Sequence, residues 1–154
     1  MIEYLKVTNQ EMIDEVRQLF IKYSKSMKVD LCFQNFEEEL KTLPGKYAPP
    51  DGALIIAVVN CKAVGCVAFR KISDGICEMK RLYVCDDFRG LGIGAKLIEM
   101  VIEEARLLKY DFIRLDTLPT MIKAQELYLL FGFYDIDQYV FNPIEGARYM
   151  ELEL

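Results

Sequence analysis

Three glycines at alternate positions, in Arg89-Gly90-Leu91-Gly92-Ile93-Gly94-Ala95, stand between a strand and a long helical period. Glycine reaches backbone conformations that a Cβ forbids. Amides in such a segment can turn toward one point at the start of the following helix, where unpaired N–H groups and the helix dipole favour an anion. A chain built around it runs strand, loop, helix, and so carries helices layered on a sheet. Two readings of the loop stay open. It is a phosphate cradle, or the glycines only make a tight turn; Arg89 favours the cradle, because a guanidinium adds charge-assisted bonds to the same anion.

The rest of the chain supplies the layers. Ile2 to Val7 reads as a short strand, and Thr8-x-x-Glu11 as a capping box opening a helix with Ile13, Val16, Phe20 and Tyr23 at apolar positions. Asn35-x-x-Glu38 opens a second helix that Pro44-Gly45 ends. Ala53 to Val59 and Ala63 to Lys71, joined through Asn60-Cys61-Lys62, read as an antiparallel hairpin, and Ile76 to Val84 continues the meander. From Gly92 to Lys109 the period is helical, with Leu97, Ile98, Val101, Ile102, Ala105 and Leu108 on one stripe. Phe112 to Asp116 is a strand, Thr120 to Phe131 a helix stopped at Gly132, Phe133 to Tyr139 extended, and Arg148 to Leu154 a last strand. The predicted class is α/β in the broad sense, an α+β mixed sheet. It is mostly antiparallel, with one parallel βαβ unit from Ile76 to Asp116 and helices on both faces. No repeat or linker divides residues 1–154, which read as a single domain.

Composition narrows the chemistry. The 154 residues carry 19 Lys plus Arg, 24 Asp plus Glu and no His, for a net charge of −5. A chain of this size buries roughly 70% of its unfolded surface. The acidic balance argues against general nucleic-acid binding but leaves room for a local basic pocket. Without His, Ser-His-Asp and Cys-His nucleophiles are excluded and the commonest zinc ligand is missing. No metal is expected, and acids or bases must be Glu, Asp, Tyr, Lys or Cys. Five cysteines, Cys32, Cys61, Cys66, Cys77 and Cys85, form no C-x-x-C and sit mostly among apolar residues, which fits a reducing cytoplasm. The first residues lack the order of a signal peptide, and the longest apolar run, Ala53 to Val59, is too short to span a bilayer. A soluble cytoplasmic protein without a membrane partner is expected.

Gly90-x-Gly92-x-x-Ala95 also satisfies a loose dinucleotide-binding pattern, with Asp116 about 20 residues on. Its context does not fit. Five residues, Cys85 to Arg89, separate the strand from the first glycine, whereas that fold puts its glycine at the strand end. Only 38 residues follow Asp116, too few for a doubly wound sheet. A P-loop is excluded because no G-K-[ST] follows the glycines.

Three linked segments carry a more specific pattern. They are the strand Glu78-Met79-Lys80-Arg81-Leu82-Tyr83-Val84, the loop Arg89-x-x-Gly92-x-Gly94, and Ala124-x-x-Leu127-Tyr128-x-x-x-Gly132-Phe133. In order and spacing they resemble the GNAT superfamily of acyl-CoA-dependent N-acyltransferases, over the stretch from about Ile76 to Phe133. The first 70 residues match only in element order. One position departs: the Asn that members often carry seven residues before the tyrosine is Met121 here.

The resemblance implies an acetyl transfer from acetyl-CoA to a primary amine by direct attack. It implies that the loop Arg89, Gly90, Leu91, Gly92, Ile93, Gly94 and Ala95 holds the diphosphate, with Lys96 and Lys123 nearby, each of which also reads as a solvated helix cation. The backbone of Leu82, Tyr83 and Val84 would pair with the pantetheine arm, the Leu82 N–H serving the thioester oxygen. An amine is neutral in only about one molecule in a few thousand at pH 7, so a base is needed. Glu78 occupies the position where some members place one; an exposed carboxylate, or one that only binds the substrate ammonium, is the competing reading. It shares strand parity with Leu82 and Val84 provided no bulge intervenes. Tyr128 is the implied proton donor to the leaving sulfur, against a reading as packed aromatic; Tyr83 is a weaker candidate. Cys77 and Cys85 have no neighbour that would activate a thiol, which disfavours an acyl-enzyme.

The acceptor is expected opposite the cofactor arm, walled by the first helices and the loop Tyr139 to Arg148, whose composition suits a small polar molecule and reads equally as an ordinary loop with one capping amide. Arg148 either pairs an acceptor carboxylate or flanks the last strand. Two other classes remain open: a protein lysine or amino-terminal acetyltransferase, and a non-catalytic acyl-CoA sensor. A homodimer is a common habit of such folds.

Overall fold

In the computed structural model, which describes residues 1–27 and 35–154, alternating strand sequences become one seven-stranded sheet with helices on both faces. The chain runs β1 (Ile2–Lys6), α1 (Gln10–Met27), α2 (Phe36–Thr42), β2 (Ala53–Val59), β3 (Lys62–Ser73), β4 (Ile76–Val84), α3 (Ile93–Leu107), β5 (Phe112–Thr117), α4 (Ile122–Leu130), β6 (Tyr134–Asp135) and β7 (Arg148–Glu153). The strand order is β1-β2-β3-β4-β5-β7-β6, and β4 with β5 is the one parallel pair in it. This is the predicted mixed sheet, and the element order matches that read from the sequence.

The continuous apolar run of β2 follows from its place inside the sheet, buried on both faces. Ile55 and Ala57 face α3 with Val67, Phe69, Cys77 and Met79, while Leu54, Ile56 and Val58 face α1 with Cys66 and Ala68. Leu97, Ile98, Val101, Ile102 and Ala105 of α3 close the first layer; Val16, Leu19 and Phe20 of α1, with Phe36 of α2, close the second. Each large side chain so buried is worth about 1.5–3 kcal/mol. No helix among the described residues is long and apolar enough to cross a membrane.

Local expectations shift in four places. The cap of α1 is Asn9 rather than Thr8: the Asn9 Oδ1 accepts from the Met12 N–H at 2.9 Å, and its carbonyl accepts from Ile13. The β2–β3 connection is a two-residue turn, with Asn60 and Cys61 at φ +50° and +62°, so Lys62 already belongs to β3. α4 begins two residues later than expected, after the Leu118-to-Met121 turn. The extended reading of Phe133 to Tyr139 survives only at Tyr134–Asp135, because the chain then leaves the sheet and carries Tyr139 over β4. Cys32 lies outside the described residues; Cys61 is exposed, Cys66 and Cys77 are buried, and none of these three nor Cys85 forms a disulfide.

Candidate active site

β4 and β5 pair only at Ile76, Cys77 and Glu78, opposite Phe112, Ile113 and Arg114. Beyond these residues the strands part, so the β4 edge from Met79 to Val84 loses its neighbour within the sheet. The Cys85 N–H is spent on the Val64 carbonyl of β3, and strand alternation turns the main-chain groups of Val84 and Leu82 toward the parting. Met79, Lys80, Arg81, Leu82, Leu115, Asp116, Thr117, Leu118, Met121, Tyr128 and Asn142 line the resulting cleft, which reaches through to Tyr23 and Met27 of α1. Among the described residues the Thr117 hydroxyl in it is buried without a partner.

A bulge marks the point of parting. Cys66 faces Tyr83 and Ala68 faces Lys80, so Arg81 and Leu82 share the place opposite Val67. Arg81 sits at φ +63°, a left-handed conformation costing a residue with a Cβ about 1–2 kcal/mol. Its side chain is clamped: Nε and Nη2 donate to Glu39 at 2.8 and 3.0 Å, and the guanidinium lies 5.1 Å from the Phe36 ring centre and 5.6 Å from that of Tyr23. The bulge also reverses side-chain parity. Cys77, Met79, Leu82 and Val84 face α3, whereas Glu78 lines the opposite cavity and Tyr83 and Cys85 pack toward α1. The expected shared parity of Glu78 with Leu82 and Val84 therefore fails; they stand back to back across the sheet.

The glycine loop follows the end of this edge, where a Cβ at Gly94 would lie 3.7 Å from Leu127 and 4.0 Å from Val84. Gly90 and Gly92 adopt φ of +81° and +79°, and a Cβ at either would meet nothing within 4 Å. Conformation, not crowding, requires glycine there. Gly92 caps α3 without a side-chain bond, and the first intrahelical bond runs from Lys96 N–H to the Gly92 carbonyl, so the amides of Ile93, Gly94 and Ala95 precede the ladder. Ile93 turns its side chain into the core, whereas Leu91 is exposed. Arg89 is exposed and folded back, donating from Nε to the Val84 carbonyl at 3.0 Å and pairing with Asp86 at 3.2 Å. Lys96 pairs with Glu99 at 3.6 Å, and Lys123 lies exposed in the first turn of α4.

Tyr128 is nearly buried, packed at 5.7 Å against Phe133, yet it lines the cleft opposite Leu82. Burial pushes its phenol above the ordinary value, with smaller contributions from Tyr23 and the Asp116 charge, so it stays a donor at neutral pH. Tyr83 lies across the sheet, edge-on to Tyr23 at 6.4 Å with Arg89 over its ring.

On the other face of β4 lies a cavity of about 240 Å³ lined by Asn35, Glu39, Lys46, Tyr47, Arg70, Glu78, Lys80, Arg81, Asp116, Val140 and Phe141. Glu78 has no solvent exposure, which overturns the reading of it as an exposed carboxylate. Its Oε1 accepts from Arg70 Nε at 3.1 Å, with Arg70 Nη2 also at 3.1 Å, and its Oε2 accepts from the Tyr139 hydroxyl at 2.6 Å. Burial, then the Glu78 charge, pushes the Tyr139 phenol far up, fixing it as that donor. Asp116 lines both cleft and cavity; Asn142 donates to its Oδ2 at 3.1 Å, and Lys80 Nζ stands 3.6 Å from its Oδ1 and 3.8 Å from Glu78 Oε1. Arg148 is not in either space, since it grips Asp135 at 2.6 and 2.8 Å. Burial raises the thiols of Cys66 and Cys77, with no cation dominating either, so both are poor nucleophiles. Among the described residues no group of three or more Cys, Asp or Glu is placed to hold a metal ion.

Sequence reasoning missed Arg70, Lys80, Arg81 and Asp116. Lys80 alone left a signal, two residues from Glu78 on one strand face.

Comparison with known proteins agrees with this architecture. Residues 13–133 match the model of the acetyltransferase (GNAT) family. An uncharacterized N-acetyltransferase of Schizosaccharomyces pombe is 40% identical, over 92% of this chain and 88% of that protein. An N-acetylaspartate synthetase of Xenopus tropicalis is 33% identical over 68% of this chain, which spans 39% of that protein's length. The crystal structure of an acetyltransferase from Streptococcus agalactiae shares the fold at a TM-score of 0.83 and 23% identity, covering 99% of this chain and 98% of that one. With its parted strands, bulge and glycine loop in one continuous match, the chain belongs to the acetyltransferase (GNAT) family of acetyl-CoA-dependent enzymes.

Proposed function

We propose that the protein moves an acetyl group from acetyl-CoA to the primary amine of a small molecule, with both substrates bound at once. One observation carries this: a cleft edged by the main chain of β4 and a cavity lined by charges adjoin at that strand and share Lys80, Arg81 and Asp116 as their common wall. Bound acetyl-CoA supplies the activated thioester. The amides of Leu91 to Ala95 hold its diphosphate together with Arg89, which exchanges Val84 and Asp86 for it, and Lys96 and Lys123 add charge. The backbone of Val84 receives the pantetheine arm as an added strand. The Leu82 N–H donates to the carbonyl oxygen as negative charge grows there. Glu78 receives the amine proton through an intervening water, and Tyr128 donates to the sulfur.

The cavity volume falls below the ~300–1,000 Å³ of drug-sized sites, which supports a compact acceptor over a peptide. Likeness to a protein named N-acetylaspartate synthetase supports an acceptor of amino-acid size. The test is release of free CoA thiol with a panel of amines, amino acids and lysine peptides, beside thermal stabilisation by acetyl-CoA and by NAD. Turnover of small amines and stabilisation by acetyl-CoA alone are expected. Stabilisation without turnover would make the protein a sensor, and turnover confined to peptides would make it a protein acetyltransferase.

A further inference from the structure

The acceptor cavity is richer in positive charge than the chain that builds it. The whole protein is acidic, at −5, yet the cavity lining holds Lys46, Arg70, Lys80 and Arg81 against Glu39, Glu78 and Asp116. Two of these cations are spoken for in hydrogen-bonded pairs, Arg81 with Glu39 and Arg70 with Glu78. Lys80 is different. Its side chain is only 11% exposed, and its ammonium stands 3.6 and 3.8 Å from Asp116 and Glu78, beyond hydrogen-bond reach of both. Among the described residues it donates no hydrogen bond, although its nitrogen keeps contact with the cavity. A nearly buried ammonium with three unspent donors is costly unless something in the cavity accepts from it.

Asp116 supplies the complementary half. It borders both the cleft and the cavity, one oxygen takes a bond from Asn142, and the other has only Lys80 at 3.6 Å. An ammonium seated on that carboxylate lies at the common wall, where an amine must sit to reach the cleft. We infer that the acceptor is an amine that itself carries carboxylate: its amino group is oriented by Asp116, and its carboxylate is taken by Lys80 with Arg70 and Lys46 around it. The excess of one cation in the lining favours a dicarboxylic amino acid over a monocarboxylic one, and disfavours diamines. This rests on the acetyl-transfer reading of the site and narrows its acceptor.

The experiment pairs each amino acid with its carboxamide, so that size is kept and charge removed. L-aspartate, L-alanine, their amides and 1,4-diaminobutane are compared in the thiol-release assay and, separately, by calorimetric titration into protein saturated with CoA. Expected are kcat/KM values about 100-fold higher for L-aspartate than for its diamide, L-alanine between them, and no detectable binding of the diamine. Lys80→Gln should raise KM for L-aspartate about 10- to 100-fold with kcat within about threefold, and flatten the preference over the diamide. Lys46→Gln, at an exposed position, gives a milder shift in the same direction. Equal or better use of the amides or the diamine would overturn the inference while leaving acetyl transfer intact. If no amine turns over, calorimetry still decides: binding of L-aspartate but not its diamide upholds carboxylate recognition, and binding of neither ends it.

Discussion

The two faces of β4 are built on different principles. Toward α3 and α4 the strand offers main chain and the apolar side chains of Met79, Leu82 and Val84 ahead of a glycine loop, and in the adjoining cleft Thr117 is the buried hydroxyl left unpaired among the described residues. Toward α1 and the Tyr139 loop it offers a network in which Arg70 and Tyr139 hold Glu78, with the Lys80 ammonium standing 3.8 Å from Glu78 and 3.6 Å from Asp116. Main-chain recognition tolerates side-chain change, whereas a buried charge network does not. The first side thus suits a ligand recognised through main chain, and the second a ligand recognised through charge.

The contrast breaks most sharply at Glu78. Glu78→Gln should lower kcat by about 10²- to 10⁴-fold, while calorimetry finds CoA affinity unchanged. A comparable loss of CoA affinity would mean the two faces are not separate. Next comes Tyr139→Phe, which strips the donor from Glu78 Oε2. It should cost about 1–3 kcal/mol in urea denaturation and leave acetyl-CoA binding intact.

Cys77 and Glu78 are neighbours on opposite faces, and pH separates them. Burial, followed by the Glu78 charge, pushes the Cys77 thiol up to about 12. A thiol raised in the folded state from an unfolded value near ~8.5 keeps its proton longer than the unfolded chain does. Its contribution is complete below about pH 8.5 and is lost as pH rises toward 12, by about 2 kcal/mol at pH 10. The stability difference between the protein and Cys77→Ala should shrink by that amount between pH 8 and pH 10; a constant difference would refute the shift. The smallest effect is at Gly92, where a valine must adopt φ +79° at about 1–2 kcal/mol. CoA affinity should fall about tenfold with L-aspartate binding unaltered.

How much of this was legible follows from sequence distance. The glycine loop and the Ala124-to-Phe133 motif are local, so their residue types and spacing show in the chain. The layers were legible too, because apolar period reports the side facing the core. The acceptor network joins Glu39 to Arg81 across 42 residues, and Glu78 to Tyr139 across 61. No local pattern announces such pairs. The bulge was equally hidden, since an arginine at positive φ leaves no propensity signal, and it is the bulge that sets Glu78 and Leu82 on opposite faces. Of the two readings of Arg148, the flanking one holds, and the sequence left both open because its partner, Asp135, lies 13 residues away.

The central claim is that the parted edge of β4 receives the cofactor arm by main-chain pairing. Amide hydrogen exchange resolved at Leu82 and Val84, with and without saturating acetyl-CoA, tests it directly. Both amides should gain protection of at least about tenfold with acetyl-CoA, and none with NAD or the acceptor alone. Unchanged exchange at these two amides under saturation would contradict the account.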